Sequence, residues 1–303
     1  MGRVHVQTPG ALPMDQAIAA AFKGFGLKPL GGPSTDGWSS LSDFLRCSYR
    51  YFLRHELKAP ALGLRGGDPA LEIGGLYHAA LAVHYAAMLE PGAPGWQPGL
   101  PSPLDFIDCV EEQKPELGNV IKARQLFYGY LEHHNPDEII PLATEVEAGI
   151  PGIHTSKYDL VCEYRKGIYI GEHKSSYRET EEVIEGWYLD GEIVGEVYSW
   201  YLSGLDKVYG PLAGVLINLA FKTALPTFRR LEVPIAREVV EWYARDRKHW
   251  AEVRDHYRRI GYWPRKLTGC FAYNRFCGYR DHCRDGSPTL FEIRRRAEEG
   301  QRK

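Results

Sequence analysis

Three consecutive strand-like segments in the middle of the chain limit its fold more than any other feature of the sequence. They are PLATEVEAGI, IHTSKYDLVCEY and GIYIGEHKSS. The turn Arg165-Lys166-Gly167 joins the last two so closely that we expect an antiparallel hairpin. Two later segments, GVLINLAFKT and FRRLEVPI, have the same apolar and β-branched character. The sequence therefore predicts a β-sheet that contains a hairpin.

Helical patterns surround these strands. Apolar residues recur at helical spacing in 39–57, 68–89, 103–113, 117–134, 183–204 and 235–260. Ser40 or Ser42 is available to cap the first of these helices. The inner stripe expected for the second helix consists of Leu71, Gly74, Gly75, His78, Ala82, Tyr85 and Leu89. We predict an α/β fold with a mixed central β-sheet flanked by helices, and a helical N-terminal part that follows an irregular arm at 1–38.

The composition is that of a globular protein whose charge is unevenly distributed. Of the 303 residues, 44% are hydrophobic and 25% are charged. Residues 221–303 hold 20 Lys and Arg against 11 Asp and Glu, whereas residues 1–220 hold 17 against 28. This division fits a protein that binds a polyanion with one surface and cations with another. With neither a signal peptide nor an apolar run of membrane-spanning length, we expect a cytoplasmic protein without membrane contact.

The segment YIGEHKSS brings charged residues to the end of an apolar strand. Because side chains alternate along a strand, Glu172 and Lys174 share one face and His173 points to the other. Asp159 on the preceding strand shares the face of Glu172 and Lys174 if the hairpin loop has an even number of residues. Two carboxylates beside water suit Mg²⁺, and an adjacent ammonium can orient a nucleophile. For Glu172 and Lys174 alone, an exposed ion pair is the alternative.

These residues resemble the signature of the PD-(D/E)XK nucleases. Asp159 followed by Glu172-His173-Lys174 has the family's order, although Tyr158 stands where the family has Pro. The pattern Gly74-x-x-x-His78 is similar to the helical histidine motif of the RecB-like branch. The resemblance covers about residues 40–285.

The resemblance implies a restriction-endonuclease-like core with Mg²⁺ or Mn²⁺ at its site. The metal would be held by His78, Asp159, Glu172 and the backbone carbonyl of His173. Lys174 would be the catalytic lysine. For His78 considered alone, a core histidine satisfied by a hydrogen bond is the alternative.

One part of the sequence departs from the RecB-like pattern. After the lysine, that pattern has a helix with Gln-x-x-x-Tyr, whereas this chain has Glu192 and Glu196 at the corresponding spacing. Tyr198 is out of step, although a shifted alignment would recruit it. We retain Glu192 and Tyr198 as candidate DNA-contacting residues, and we expect a weakened or altered activity as one consequence.

Four of the six cysteines form a spaced set. Cys47 precedes Cys270-x6-Cys277-x5-Cys283 by more than two hundred residues. A disulfide framework is not expected in a large cytoplasmic core, so metal or cluster ligation is the better interpretation. The set resembles the iron–sulfur subset of the RecB-like branch, which includes AddB-type, CRISPR-adaptation and phage exonucleases. The resemblance implies a [4Fe–4S] cluster that clasps the C-terminus to the start of the domain; Zn²⁺, with His282 replacing one cysteine, is the alternative.

A basic and aromatic stretch before these cysteines is the candidate DNA-binding surface. It comprises Arg258, Arg259, Tyr262, Trp263, Arg265 and Lys266. A solvated helix with ordinary ion pairs is the alternative.

Together these features predict a metal-dependent DNA nuclease. We expect an exonuclease on single-stranded or end-containing DNA, in phage or bacterial recombination, replication or repair, with a helicase or recombination protein as a further partner. A non-catalytic DNA-binding or assembly subunit and a structure-specific endonuclease are the alternatives. The nuclease domain would span 39–285, with a helical insertion at 68–135 and a basic tail at 286–303.

Overall fold

The core of the protein is a five-stranded mixed sheet. The computed structural model describes residues 12–27, 36–59, 68–113, 117–272, 275–280 and 283. The strands are β1 (Ile140–Ile150), β2 (His154–Tyr164), β3 (Gly167–Ser176), β4 (Leu212–Phe221) and β5 (Thr227–Val233), in that spatial order. Only β3 and β4 run parallel, and the other neighbours are antiparallel. The predicted mixed sheet flanked by helices is confirmed.

Helices cover both faces of the sheet. One face carries α1 (Met14–Gly24), α4 (Pro69–Ala86), α5 (Pro103–Gln113) and α6 (Leu117–His133), which share an apolar core with inward residues of β2 and β4. The other face carries α8 (Gly191–Leu202), against which α10 (Arg237–Ile260) packs. The remaining α-helices and β-strands are α2 (Trp38–Arg46), α3 (Ser48–Tyr51), α7 (Glu181–Gly186), α9 (Asp206–Tyr209), β6 (Phe271–Ala272) and β7 (Arg275–Phe276), and a 3₁₀ turn lies at Leu267–Cys270.

The β2–β3 hairpin has a loop of two residues. Tyr164 pairs with Gly167, and the intervening Arg165 and Lys166 have φ angles of 48° and 68°. Positive φ at both positions is the geometry of a type I′ turn, whose twist matches that of the flanking strands. The loop is therefore even, which was the condition for bringing the two strands' acidic residues together.

The helix predicted over 39–57 is broken at Cys47. This residue has an extended backbone, with φ −166° and ψ 112°, between α2 and α3, and a π-helical turn at Phe52–Glu56 follows. The extended geometry lets the Cys47 Sγ accept a hydrogen bond from the backbone N–H of Lys266 over 3.5 Å. The expected caps are also wrong, because Gly37 occupies the N-cap position of α2.

The single apolar stripe predicted for 68–89 is wrong as well. Leu71 is 72% exposed, whereas residues around most of α4 are buried. The reason is that α4 packs against α1, α5, α6 and the sheet together, so burial does not follow one stripe. Asp68 caps the helix by accepting a hydrogen bond from the Ala70 backbone N–H over 3.0 Å.

The helix predicted over 183–204 is two helices. A short 3₁₀ turn at Trp187–Leu189 separates α7 from α8, and the Asp190 side chain caps α8 through the Glu192 backbone N–H, 2.7 Å away. This second start directs α8 across the sheet.

Some sequence-based expectations remain predictions. The limits of the nuclease domain and its helical insertion are among them. The arm expected to be irregular at 1–38 contains α1, whose apolar side chains pack into the core, so that expectation is wrong there. Residues 1–11 and 28–35 of the arm, the tail at 286–303 and His282 lie outside the described residues. Among the helices in the described ranges, none is long and apolar enough to cross a membrane.

Candidate active site

The site begins where β2 and β3 separate. Their pairing runs from Tyr164–Gly167 to Leu160–Gly171, and beyond it the residues of β2 pair with β1 while those of β3 pair with β4. Asp159 is the first residue past this point. Its carboxylate Oδ2 accepts a hydrogen bond from the backbone N–H of His173 over 2.8 Å. The carboxylate therefore fills the opening between the two strands.

Glu172 and Lys174 lie together on the α8 side of β3. The Lys174 Nζ donates a hydrogen bond to the Glu172 Oε2 over 2.9 Å. His173 points to the other face, where its ring stacks on Tyr85 with 5.5 Å between centroids and 13° between planes. The alternation expected from the sequence thus has a direct structural counterpart.

His78 approaches the same carboxylate from α4. Its Nδ1 lies 3.7 Å from the Asp159 Oδ2. Burial lowers the pKa of His78, and the nearby Asp159 charge only partly opposes this effect. A neutral imidazole has a lone pair and is the form that binds a metal.

The two candidate carboxyl groups have opposite pKa shifts. Burial and the Asp159 charge raise the pKa of Glu172 to about 8. Burial alone would also raise the pKa of Asp159, but His78, His173 and Lys174 together hold it below its usual value. Asp159 is therefore ionised at neutral pH, whereas Glu172 takes up or releases a proton near pH 8.

Two further carboxyl groups on α8 face this site. The Lys174 Nζ is 3.3 Å from the Glu192 Oε2, and Glu196 is only 4% exposed. The Oε2 of Glu196 and the Oε1 of Glu172 are buried without a hydrogen-bond partner among the described residues. Burial and Glu172 raise the pKa of Glu196 well above its usual value. Glu192 and Glu196 thus stand beside Lys174, at the two positions where the sequence departs from Gln-x-x-x-Tyr.

Tyr198 does not join this group. Its ring packs against His154 and Tyr243, with centroids 5.6 and 5.8 Å away. Its candidate role in contacting DNA therefore has no support in the geometry, because the ring belongs to the contact between α8 and α10.

Polar side chains at neighbouring positions of β3, β4 and β5 form a row that includes His173. The cross-strand register places His173 beside Asn218 and Asn218 beside Arg230. Arg230 donates hydrogen bonds to Asn218 over 2.7 Å and to Asp137 over 2.8 Å. Asp137 in turn accepts a hydrogen bond from the hydroxyl of Tyr85, the ring that stacks on His173. Sequence reasoning missed this row, because only the register of β3, β4 and β5 brings it together.

The candidate ligands are near one another without enclosing an ion. Within the described ranges, no group of three or more His, Cys, Asp or Glu side chains is arranged so that it could hold a metal ion. The Lys174 ammonium occupies one oxygen of Glu172 in this arrangement. The donor types are nevertheless carboxylate oxygens and one imidazole nitrogen, the set that suits Mg²⁺ or Mn²⁺.

The four spaced cysteines are neighbours as reduced thiols. Burial raises the pKa of Cys270, and the Cys277 and Cys47 thiols raise it further. Burial also raises the pKa of Cys283; the other three thiols contribute in the same direction, and Arg265 opposes them. The Cys277 backbone N–H donates to the Cys270 carbonyl over 2.7 Å, which closes the loop between them. The chain therefore brings Cys47 near Cys270 and Cys283, although among the described residues these side chains are not arranged to hold a metal ion.

The predicted DNA-binding stretch divides into exposed and buried residues. Trp263 is only 7% exposed and packs against Phe44 and Tyr51, so little of its ring is accessible to DNA; its contact with DNA stays a prediction. Arg258 is paired with Glu56, whereas Tyr262 is 63% exposed.

The other three cations of this stretch are exposed. Arg259 lies on the surface of α10, Arg265 lies over the ring of Tyr49, and Lys266 donates to the Leu45 carbonyl. Their contact with DNA remains a prediction.

The chain matches a known protein family over most of its length. Residues 38–284 match the PD-(D/E)XK nuclease superfamily. No curated protein matches the chain. Among solved structures, it is similar to a proposed exonuclease from Eubacterium rectale, with 11% sequence identity and a TM-score of 0.43, over 88% of this chain and 91% of that one. The superfamily match spans most of the chain and includes every candidate site residue described above.

Proposed function

Because the chain belongs to the PD-(D/E)XK nuclease superfamily, we propose that it is a metal-dependent deoxyribonuclease that uses Asp159, Glu172 and Lys174. The observation that carries this proposal is the Asp159 carboxylate in the opening between β2 and β3, next to the Glu172–Lys174 pair. A buried group of this kind at a strand separation suits hydrolysis of a phosphodiester better than it suits structural support, because its charges are incompletely satisfied.

The buried oxygens without partners fit a divalent cation. Glu172 Oε1 and Glu196 Oε2 have no hydrogen-bond donor among the described residues, and leaving such atoms buried is costly. Asp159, Glu172 and His78 would hold Mg²⁺ or Mn²⁺, with the backbone carbonyl of His173 as a further ligand. A bound ion of this kind lowers the pKa of water and neutralises charge on a phosphoryl oxygen.

The residues of the chain have separable roles in this proposal. Asp159 stays ionised at neutral pH and is fixed by the His173 N–H. Lys174 stays protonated, because Glu172, Glu192 and Glu196 raise its pKa well above its usual value although burial opposes them. A fixed ammonium next to the scissile phosphate would stabilise the charge that develops in the transition state and orient the attacking water.

The cysteines support a second, structural metal group. We infer that Cys47, Cys270, Cys277 and Cys283 bind a [4Fe–4S] cluster, with Zn²⁺ as the alternative. Burial and neighbouring cysteines of the set raise the pKa of Cys270 and of Cys283, and both groups require thiolate ligands. Either group would join α2 to the C-terminal end of the domain. A brown protein with broad visible absorbance supports the cluster, whereas a colourless protein with one zinc per chain supports the alternative.

The mode of cleavage is proposed from the motif order. The RecB-like arrangement of His78, Asp159, Glu172 and Lys174 favours an exonuclease on single-stranded or end-containing DNA, in recombination, replication or repair. We propose a helicase or recombination protein as its partner. Glu192 and Glu196, in place of Gln and Tyr, favour the alternative of a DNA-binding subunit with little turnover.

One assay separates these functions. Linear and circular DNA, each single-stranded and duplex, would be incubated with the protein in Mn²⁺ and, as a control, in EDTA. Shortening of linear DNA alone supports an exonuclease. Cutting of circular DNA supports an endonuclease, and DNA binding without metal-dependent products supports the non-catalytic subunit.

A further inference from the structure

A cavity between residues 39–54 and residues 266–269 is lined by more positive than negative side chains. It has a volume of about 550 Å³ and is lined by Ser39, Ser42, Asp43, Arg46, Arg50, Arg54, Lys266, Thr268 and Gly269. Four cationic side chains thus line it with one carboxylate. The surplus is notable because residues 1–220 as a whole carry 28 acidic against 17 basic side chains.

The single carboxylate orients two of the cations. Asp43 is 5% exposed, and its two oxygens bind the Arg50 Nε over 2.7 Å and the Arg54 Nη1 over 2.9 Å. The His55 Nε2 adds a third contact at 3.0 Å. One carboxylate neutralises one guanidinium, so a second guanidinium keeps its charge. Arg50 and Arg54 each contact Asp43 through one nitrogen. Because a guanidinium group has five N–H donors in a planar fork, donors that do not contact Asp43 remain on each arginine.

The other two cations have neutral partners. The Arg46 Nε donates to the Gly269 carbonyl over 3.0 Å, and the Lys266 Nζ donates to the Leu45 carbonyl over 3.2 Å. Within the described part of the chain, neither side chain has a carboxylate partner. These hydrogen bonds hold both cations at the cavity wall without neutralising them.

The helix α2 links the cavity to the element that carries Glu192. Trp38, at the start of α2, packs so closely on α8 that a Cβ on Gly191 would lie 2.2 Å from its ring. The next residue of α8, Glu192, is 3.3 Å from Lys174. The cavity begins at Ser39 and follows α2 to Arg46, a rise of roughly 10 Å. A nucleic-acid strand that lies at Lys174 and continues along α2 would reach the cavity.

We propose that this cavity binds a phosphate group of the DNA strand whose neighbouring phosphodiester lies at the Asp159–Lys174 site. The proposal rests on the proposed nuclease function. Guanidinium groups oriented beforehand by a buried carboxylate bind phosphate in a fixed geometry with little loss of side-chain entropy. The phosphate is either a terminal phosphate or an internal phosphodiester of the strand.

The test is DNA binding in EDTA, where no cleavage interferes. The variant is Arg54→Gln, because the Arg54 side chain is 47% exposed and its loss leaves Arg50 on Asp43. Arg245→Gln on the exposed surface of α10 is the matched control. We expect Arg54→Gln to weaken binding of single-stranded DNA roughly five- to tenfold at low salt and to reduce the salt slope by about one phosphate contact, with the control unchanged.

Four DNA ligands distinguish the source of the phosphate. If the cavity binds a terminal phosphate, the parent protein prefers a 5′-phosphorylated or 3′-phosphorylated oligonucleotide to its hydroxyl counterpart, and Arg54→Gln loses that preference. If it binds an internal phosphodiester, circular single-stranded DNA also binds the variant more weakly. Both outcomes support the proposal.

Other results would overturn it. Unchanged binding of all four ligands by Arg54→Gln would do so, and so would an equal loss in Arg245→Gln. Lys266→Gln provides a second variant if Arg54→Gln does not fold. Loss of bound metal or visible absorbance in both cavity variants, with DNA binding intact, would assign the cations to the cysteine group instead. The measurement is DNA binding and does not depend on cleavage. If Arg54→Gln binds DNA more weakly while the parent protein does not cleave DNA, the nuclease function is rejected and the phosphate site is still supported.

Discussion

The backbone N–H of His173 donates a hydrogen bond to the Asp159 carboxylate over 2.8 Å, across the gap where β2 and β3 cease to pair. This contact explains how residues 14 positions apart form one site. The hairpin sets the distance between the strands, the separation provides room, and the alternation along β3 places Glu172 and Lys174 on one side.

The titration of Glu172 predicts a pH-dependent stability of the metal-free protein. The pKa of Glu172 is about 8 in the folded protein and near its ordinary value of 4.5 in the unfolded protein. Between these pH values, the folded protein therefore keeps a proton that the unfolded protein has released. This stabilisation is complete at low pH and is lost as the pH rises through about 8. In EDTA, we expect Glu172→Gln and the parent to have similar Tm values near pH 4.5, and the variant to become more stable by about a few degrees toward pH 8.5. A constant difference across that range would contradict the shift, and Mn²⁺ should raise the Tm of the parent alone.

The buried Glu196 carboxyl predicts a change in metal affinity. Its Oε2 has no partner in the described structure, and its charge lies near Glu172. Glu196→Gln preserves the shape and removes a carboxyl that can ionise when a cation binds beside it, so we expect Mn²⁺ to bind several-fold more weakly by calorimetry at pH 8. The control is Glu241→Gln on the exposed surface of α10. Equal Mn²⁺ affinity in the parent and Glu196→Gln would show that Glu196 does not contribute to metal binding.

The Arg230–Asp137 pair predicts a cost in stability. Both side chains are largely buried, and the pair holds Asn218 and Tyr85 against His173. Arg230→Met leaves Asp137 without its cation, which we expect to destabilise the protein by roughly 3–5 kcal/mol in urea unfolding. The double variant Arg230→Met/Asp137→Asn should recover part of that loss. If both variants were as stable as the parent, the pair would have no structural role.

The proposed [4Fe–4S] cluster predicts that the protein is brown and that replacing one of its cysteine ligands removes the colour. Cys277→Ser removes one proposed ligand and should abolish broad visible absorbance and lower iron content. Cys109→Ser on α5 is the matched control, because Cys109 is a free thiol outside the group. Iron content and absorbance that are the same in both variants and in the parent would remove Cys277 from the ligand set.

The hairpin and its charges could be predicted because they depend on neighbouring residues. A two-residue turn and strand alternation determine which side of β3 carries Glu172 and Lys174. The break at Cys47 could not be predicted, because the Lys266 N–H that it contacts is 219 residues away. Likewise, burial around most of α4 results from its packing on several neighbours, and helical periodicity does not contain that information.

The polar row behind His173 shows the same limit. Asn218 and Arg230 become its neighbours through the registers of two strand pairs, one parallel and one antiparallel. No local pattern in either segment marks them. The α8 acidic pair was visible as a spacing, but its position beside Lys174 depended on the second helix start that Asp190 provides.

The most direct test measures cleavage of linear single-stranded DNA in Mn²⁺ by the parent, Asp159→Ala and Lys174→Ala. The control is Lys207→Ala, which removes an exposed lysine on α9. We expect each site variant to fold, to bind DNA and to cut at least ~10²-fold more slowly than the parent, with the control unchanged. Cleavage by Asp159→Ala and Lys174→Ala at the rate of the parent would contradict the assignment of this site.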